Sequence, residues 1–251
     1  MLFSAERIRA DVASFNRGIK GHVRLVATSS AVAESLLDDV AEFMRDDDNQ
    51  NIHVDIEERY SKELVRLVAD GRASLGVCWD NVDFGQLKRR PYRSDELAVA
   101  VPAGHPLEGR KTVSFEQTLQ YEHVGLPPTT AVHLMLNRAA ARAGQVITYR
   151  VIVTNFDAEL RAVAAGLGIS VTPKQVALRS AKVREISVVP LTDSWSKRRF
   201  AVCFCNPETL SPAASRMVDF LASKAAEHEV VSGGRGTTGP RNKKRIEATR
   251  I

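Results

Sequence analysis

Residues Val151 to Pro173, VIVTNFDAELRAVAAGLGISVTP, decide the fold. Val151 to Thr154 is an unbroken β-branched run, which suits a strand. After a polar turn, Asp157 stands where it can cap a helix. Leu160, Val163 and Ala164 then fall three and four apart on one apolar stripe. Gly166 stops that helix, because glycine adopts the left-handed cap without steric cost. Ile169 to Thr172 starts a second, buried strand. Strand, helix and strand in so short a stretch make an α/β unit.

The same alternation extends outward. Val23–Ala27 and Ile52–Ile56 read as strands joined by a helix from Ala31 to Met44, closed by the acidic turn 45–49. A helix from a capping Ser61 to Asp70 stops at Gly71, and Ser74–Cys78 is the next strand. Leu97–Val101 leads into a second half with helices near Ser114–Gln120 and Ala131–Ala143. Arg199–Cys205 returns the chain, and a helix Ala213–Glu227 packs back on the first half. Repeated strand–helix units call for a parallel sheet. Two crossings between halves predict two hinged lobes with a cleft.

Four segments carry a more specific wording: GHVRLVATSSAVAESLL (21–37), ELVRLVADGRASLGV (63–77), DELAVAVPAGHPL (95–107) and TN…L..AVAAGLGISVTP near 154–173. In this order they resemble the effector-binding domain of LysR-type transcriptional regulators, over roughly residues 20 to 225. One departure is Ser74, where the family usually has Asp. The resemblance implies an α/β fold of two Rossmann-like lobes joined by two hinge crossings, like periplasmic binding proteins of type 2. Lobe I would hold residues 21–101 and 203–230, and lobe II residues 102–202. Residues 1–20, with Leu2, Ile8, Val12 and Phe15 among charges, read as the remnant of a linker helix. Family members normally carry a winged helix-turn-helix before it, and nothing here resembles one. An excised fragment and a naturally headless protein both fit.

A chain of 251 residues with 44% hydrophobic content has ample material for a core. No apolar run approaches the roughly 20 residues that span a bilayer, and the N-terminus lacks the apolar centre of a signal peptide. A cytoplasmic location without membrane contact is therefore expected, and three cysteines suit a reducing compartment. The net charge of +5 is local. From Ser232 onward six basic residues face Glu247 alone, so residues 1–231 sum to about zero. The stretch 231–251, rich in Gly and Thr, reads as a disordered basic tail: a solubilising end or an arm touching DNA nonspecifically.

Ligands of open α/β sheets sit beyond the carboxyl ends of the strands. Thr28, Ser29 and Ser30 occupy that place after the first strand, where hydroxyls and a helix N-terminus favour an anion; one of the three would also cap the helix. Ser61 opens the next helix as cap or as ligand contact. Trp79, after Cys78, could wall the pocket or simply be half-buried. In the second lobe Thr129 and Thr130 follow a rigid Pro127-Pro128 turn at a helix N-terminus facing the first lobe, and Asn155 and Phe156 follow a strand in the same way, each turn as ligand contact or as ordinary cap. Cys203 and Cys205 point to one face of a strand, as buried apolar residues or a redox pair. The six histidines show no ligand spacing, and no catalytic triad, paired carboxylates or phosphate loop appears. No catalytic residue, metal or cofactor is therefore expected.

The expected function is that of a non-catalytic sensor. A small anionic effector, most simply a carboxylate, would sit between the lobes and shift their angle. The competing readings are a solute-binding protein of a transport system and an enzyme on the same fold. The helix Ala31–Met44 carries Val32, Leu36, Val40 and Phe43 on one stripe and Ala33, Leu37, Ala41 and Met44 beside it, a band wide enough to share with a partner. The resemblance implies an antiparallel homodimer through this helix and Ile52–Ile56, a tetramer in a full-length protein, and DNA contact only through a head domain.

Overall fold

Strand β1, Gly21–Ala27, alternates in burial until its last residues, which lie inside on both faces. The computed structural model describes residues 21–233, of which 226–233 only as backbone. The expected linker helix 1–20 and the tail beyond Gly233 lie outside the described residues. Helix α1 follows β1 and has three parts: Ser29–Ala31, a π-helical turn Val32–Leu36, and Leu37–Arg45. Strand β2 (Ile52–Glu58), helix α2 (Ser61–Ala69) and strand β3 (Leu75–Trp79) complete the first half. Strand β1 pairs in parallel with both β2 and β3.

Strand β4, Lys88–Pro102, is the longest in the sheet. The second half continues with α3 (Phe115–Thr118), β5 (His123–Gly125), α4 (Ala131–Arg142), β6 (Tyr149–Ile152), α5 (Phe156–Ala164) and β7 (Ser170–Pro173). Helix α6 (Lys174–Ala181) and strand β8 (Ile186–Pro190) follow. Strand β9 (Lys197–Phe204) returns the chain, and α7 (Pro212–Gly233) is the last described element. The main sheet runs β2-β1-β3-β9-β4-β7, with β8 also on β4. Residues 88–96 of β4 pair with β9, whereas residues 97–102 pair with β7 and β8. The sheet thus changes partners between Glu96 and Leu97, and β4 and β9 are the two crossings between lobes.

Each half buries its sheet between helices. In the first, Leu25, Leu36, Phe43, Met217 and Leu221 pack between β-strands, α1 and α7, while Val26, Leu64, Val68 and Cys203 pack under α2. In the second, Leu97, Val99, Leu136 and Ile169 form one core, and Leu160, Val163 and Ala177 another beneath α5 and α6. Cys78 and Cys203 are buried free thiols, and Cys205 is half-buried with its Sγ 3.0 Å from the Val68 carbonyl.

Several local expectations change. The sheet is mixed rather than parallel, since β9 runs antiparallel to β3 and β4. Asp157 does not cap α5. Asn155 does, accepting from Ala158 N at 2.9 Å, and Asp157 instead pairs with Arg184 at 2.5 Å. Ser61 does not cap α2 either: Tyr60 holds the cap position and Ser61 is the first helical residue. Strand β4 begins at Lys88, not Leu97, because the charged stretch KRRPYRSDE has no apolar alternation and becomes a strand only through β9. Val40, on the stripe offered to a partner, is buried in the first half's own core.

Candidate ligand cleft

The carboxyl ends of β1 and β2 face the starts of α4 and α5 across the gap between halves. Thr28, Ser29, Ser30, Arg59, Tyr60 and Ser61 line one side of a single cavity, and Leu126, Thr130, Ala131 and Phe156 the other. Its free volume is only ≈ 20 Å³, room for about one water molecule. The two halves approach closely here, and a ligand of several carbon atoms needs more room than this.

Four helix N-termini converge on this cavity. Two come from the first half (α1 after Thr28, α2 after Tyr60) and two from the second (α4 after Thr130, α5 after Asn155). Each presents unpaired backbone N–H groups and the positive end of a helix dipole. The hydroxyls add to this. Thr28 Oγ1 and Ser61 Oγ are buried without a hydrogen-bond partner, and a buried unpaired polar atom is costly unless a ligand or water completes it. The Thr28 backbone is fixed meanwhile: its N–H donates to the Val77 carbonyl at 3.1 Å and its carbonyl accepts from Val32 N at 3.1 Å. None of the three residues expected to share the capping of α1 does so with Thr28 at the cap position, and Ser29 Oγ donates to Glu58 Oε2 at 2.7 Å.

Arg59 brings a cation, but its neighbours compete for it. It donates to the Glu58 carbonyl at 2.7 Å, pairs with Glu57, and lies 3.3 Å from Glu63 through Nε. Its charge is therefore partly neutralised before any ligand arrives. Thr130 caps α4 by accepting from His133 N at 3.3 Å, and it donates to the Pro127 carbonyl at 2.9 Å.

Six of the nine residues singled out in the sequence thus meet: Thr28, Ser29, Ser30, Ser61, Thr130 and Phe156. Thr129 and Asn155 are exposed beside it, and half-buried Trp79 packs against the core of the second half. Arg59 and Tyr60 were not singled out. The rule of strand carboxyl ends reaches them once β2 is known to run on to Glu58. Ser74, the departure from the family wording, lies at the opposite end of β3, where its Oγ accepts from Arg24 N at 3.2 Å. It takes no part in the cleft.

A larger hollow of ≈ 650 Å³ lies beside β1 and β2, lined by Arg24, Val26, Asp55, Glu57, Leu67 and Arg72. It belongs to one half, runs along the sides of the strands and mixes both charge signs. The smaller cavity is the better ligand site, because it joins the halves at strand ends and helix starts. Among the described residues no group of three or more His, Cys, Asp or Glu could hold a metal ion, and no helix is long and apolar enough to cross a membrane.

The family model described as LysR substrate binding domain matches residues 16–226. The HTH-type transcriptional regulator CysL of Bacillus subtilis (strain 168) is 22% identical over 204 residues, covering 80% of this chain and 67% of that protein. The effector binding domain of QuiR in complex with shikimate superposes with a TM-score of 0.73 at 18% identity, covering 83% of this chain and 99% of that one. The BenM effector binding domain with its effector benzoate gives 0.69 at 21% identity, covering 90% and 98%. The chain spans about half to two thirds of the length of the curated relatives it matches. These superpositions establish the bilobal fold.

Proposed function

We propose, from the premise that the chain belongs to the LysR substrate binding domain family, that its cleft takes a small carboxylate and converts binding into a change of lobe angle. The chain is then the effector-binding part of a transcriptional regulator, and neither a transport protein nor an enzyme. One observation carries the choice of ligand: four helix N-termini, two from each lobe, surround a cavity that also holds two unpartnered hydroxyls. Such a site stabilises an anion best when both lobes close on it. Shikimate and benzoate, the ligands named for two structural neighbours, are both carboxylates.

The lobes' movement would be passed to DNA-binding heads in a longer protein, and the shift cannot exceed the ligand's differential affinity for the two states. Pairing of two copies suits the exposed apolar side chains. Strand β2 is a free sheet edge, and α1 beside it exposes Leu37. The second half exposes Ile152 on β6 and Leu134 on α4. An antiparallel, two-fold dimer covers both apolar faces twice.

Thermal unfolding with benzoate, shikimate and the uncharged benzamide tests the ligand class. Carboxylates raising the melting temperature while benzamide does not is the expected result. Equal shifts for acid and amide, or conversion of the ligand to a product, would count against it.

A further inference from the structure

Helix α1 is interrupted just behind the cleft by the π-helical turn Val32–Leu36, a rare geometry that recurs at functional positions. Helix α6 of the second lobe reaches across to this turn. Arg179 of α6 donates through Nη1 to the Glu34 carbonyl at 3.1 Å and through Nη2 to the Ala33 carbonyl. The backbone N–H of Gln175, in the first turn of α6, faces the Glu34 carboxylate. That side chain is only 8% exposed, and its Oε1 has no hydrogen-bond partner.

The charges around Glu34 are already engaged. Arg198 of β9 donates through Nε to Asp95 of β4 at 2.8 Å. Lys174, at the start of α6, is held by Glu96 at 2.8 Å. The Arg179 guanidinium is committed to the two carbonyls. A neutral carboxyl tolerates this seat far better than a carboxylate, whose second oxygen would be buried unanswered.

We propose that Glu34 and Arg179 form a clasp between the lobes, which holds them closed while Glu34 is protonated and lets them part when it ionises. Burial, followed by the charge of Asp95, pushes the Glu34 carboxyl up to about 7, against the opposing pull of Arg179, Arg198 and Gln175. In the opened form water returns it toward its ordinary value of 4.5. The closed form therefore binds the extra proton between those two values. Its advantage is full below about pH 4.5, shrinks as pH rises toward about 7, and is level above that. The ratio of open to closed molecules rises by about tenfold or more between pH 5 and pH 8. The clasp rests on the lobe motion proposed above, but not on any ligand.

Small-angle scattering of the whole chain without ligand, with oligomeric state held fixed by light scattering, reads this directly. The unmodified chain should expand from pH 5 to pH 8. Glu34→Gln, which keeps the neutral shape, should stay compact at both. Arg179→Met should be expanded at both. A Glu34→Gln chain that follows the unmodified one through pH, or an unmodified chain with no expansion, overturns the clasp. Should circular dichroism show Arg179→Met unfolded, the other two chains decide alone. Failure of benzoate to bind alongside a normal pH response would sink the effector reading and leave the clasp standing.

Discussion

Thr28 shows how a single side chain can stand in a cleft at a cost. Its hydroxyl is buried and unpaired in the closed cleft, so Thr28→Val should leave thermal stability unchanged or slightly higher. The same substitution should weaken carboxylate binding by about 1–2 kcal/mol, the scale of a hydrogen bond to a charged group. Isothermal calorimetry alongside a melting curve separates the two effects; equal affinity would remove Thr28 from the site. Glu159 presents the same economy in the interior of the second lobe. It is fully enclosed, and burial pushes its carboxyl up to about 8 against the pull of Thr172. Because the folded value lies above the unfolded one, its contribution is complete below about pH 4.5 and is lost as pH rises through about 8. Glu159→Gln should therefore gain on the unmodified chain as pH rises, by about 2–4 kcal/mol at pH 9. Urea unfolding at pH 5, 7 and 9 checks it, and parallel curves for the two chains would contradict it.

At the scale of elements, two glycines in the stretch AAGLGIS do different work. Gly166 ends α5 in a left-handed turn (φ +73°) with open space where a Cβ would stand. Gly168 combines φ +146° with a Cβ position 2.6 Å from the Glu122 carbonyl oxygen, because β5 runs directly alongside here and Ile169 N donates to that same carbonyl at 3.0 Å. Gly166→Ala should cost about 1–2 kcal/mol, the left-handed penalty alone. Gly168→Ala should cost more, about 3 kcal/mol, since backbone must also move; equal losses in denaturant titrations would refute the distinction. The crossings hold a second element-scale device. The Asp95–Arg198 pair, almost completely buried, ties β4 to β9 where the sheet passes between lobes. Arg198→Met strands a buried carboxylate and should cost about 3–5 kcal/mol at pH 7. Burial already pushes the Asp95 carboxyl up while Arg198 pulls it down, so the loss should lessen in acid, where the carboxyl is neutralised.

For the molecule as a whole, Val40 and Leu37 separate folding from assembly. Val40 is 8% exposed within the first lobe's core, whereas Leu37 is 52% exposed on the same helix. Val40→Glu should therefore unfold the lobe. Leu37→Glu should leave helical content intact and shift the mass measured by light scattering toward monomer. An unmodified chain that is monomeric at micromolar concentration would exclude the proposed pairing.

Local pattern alone determined much of this protein. β-branched runs, apolar stripes and stopping glycines are short-range signals, so most strands and helices of both lobes were legible, as was the family wording. So were six of the cleft residues, because the ends of strands and starts of helices are where an α/β fold exposes backbone N–H groups. Tertiary structure decided the rest. The first nine residues of β4 are a strand only because β9 pairs with them, and no window of sequence contains both. The short α6 and β8 carry weak periodicity and are fixed by packing on β4. Asn155 rather than Asp157 caps α5, because the helix starts at Phe156 and leaves Asp157 inside its first turn, where it meets the distant Arg184. The meeting of Glu34 with Arg179, far apart in the chain, is likewise set by how the two lobes close. Contacts of that range depend on the whole chain's packing.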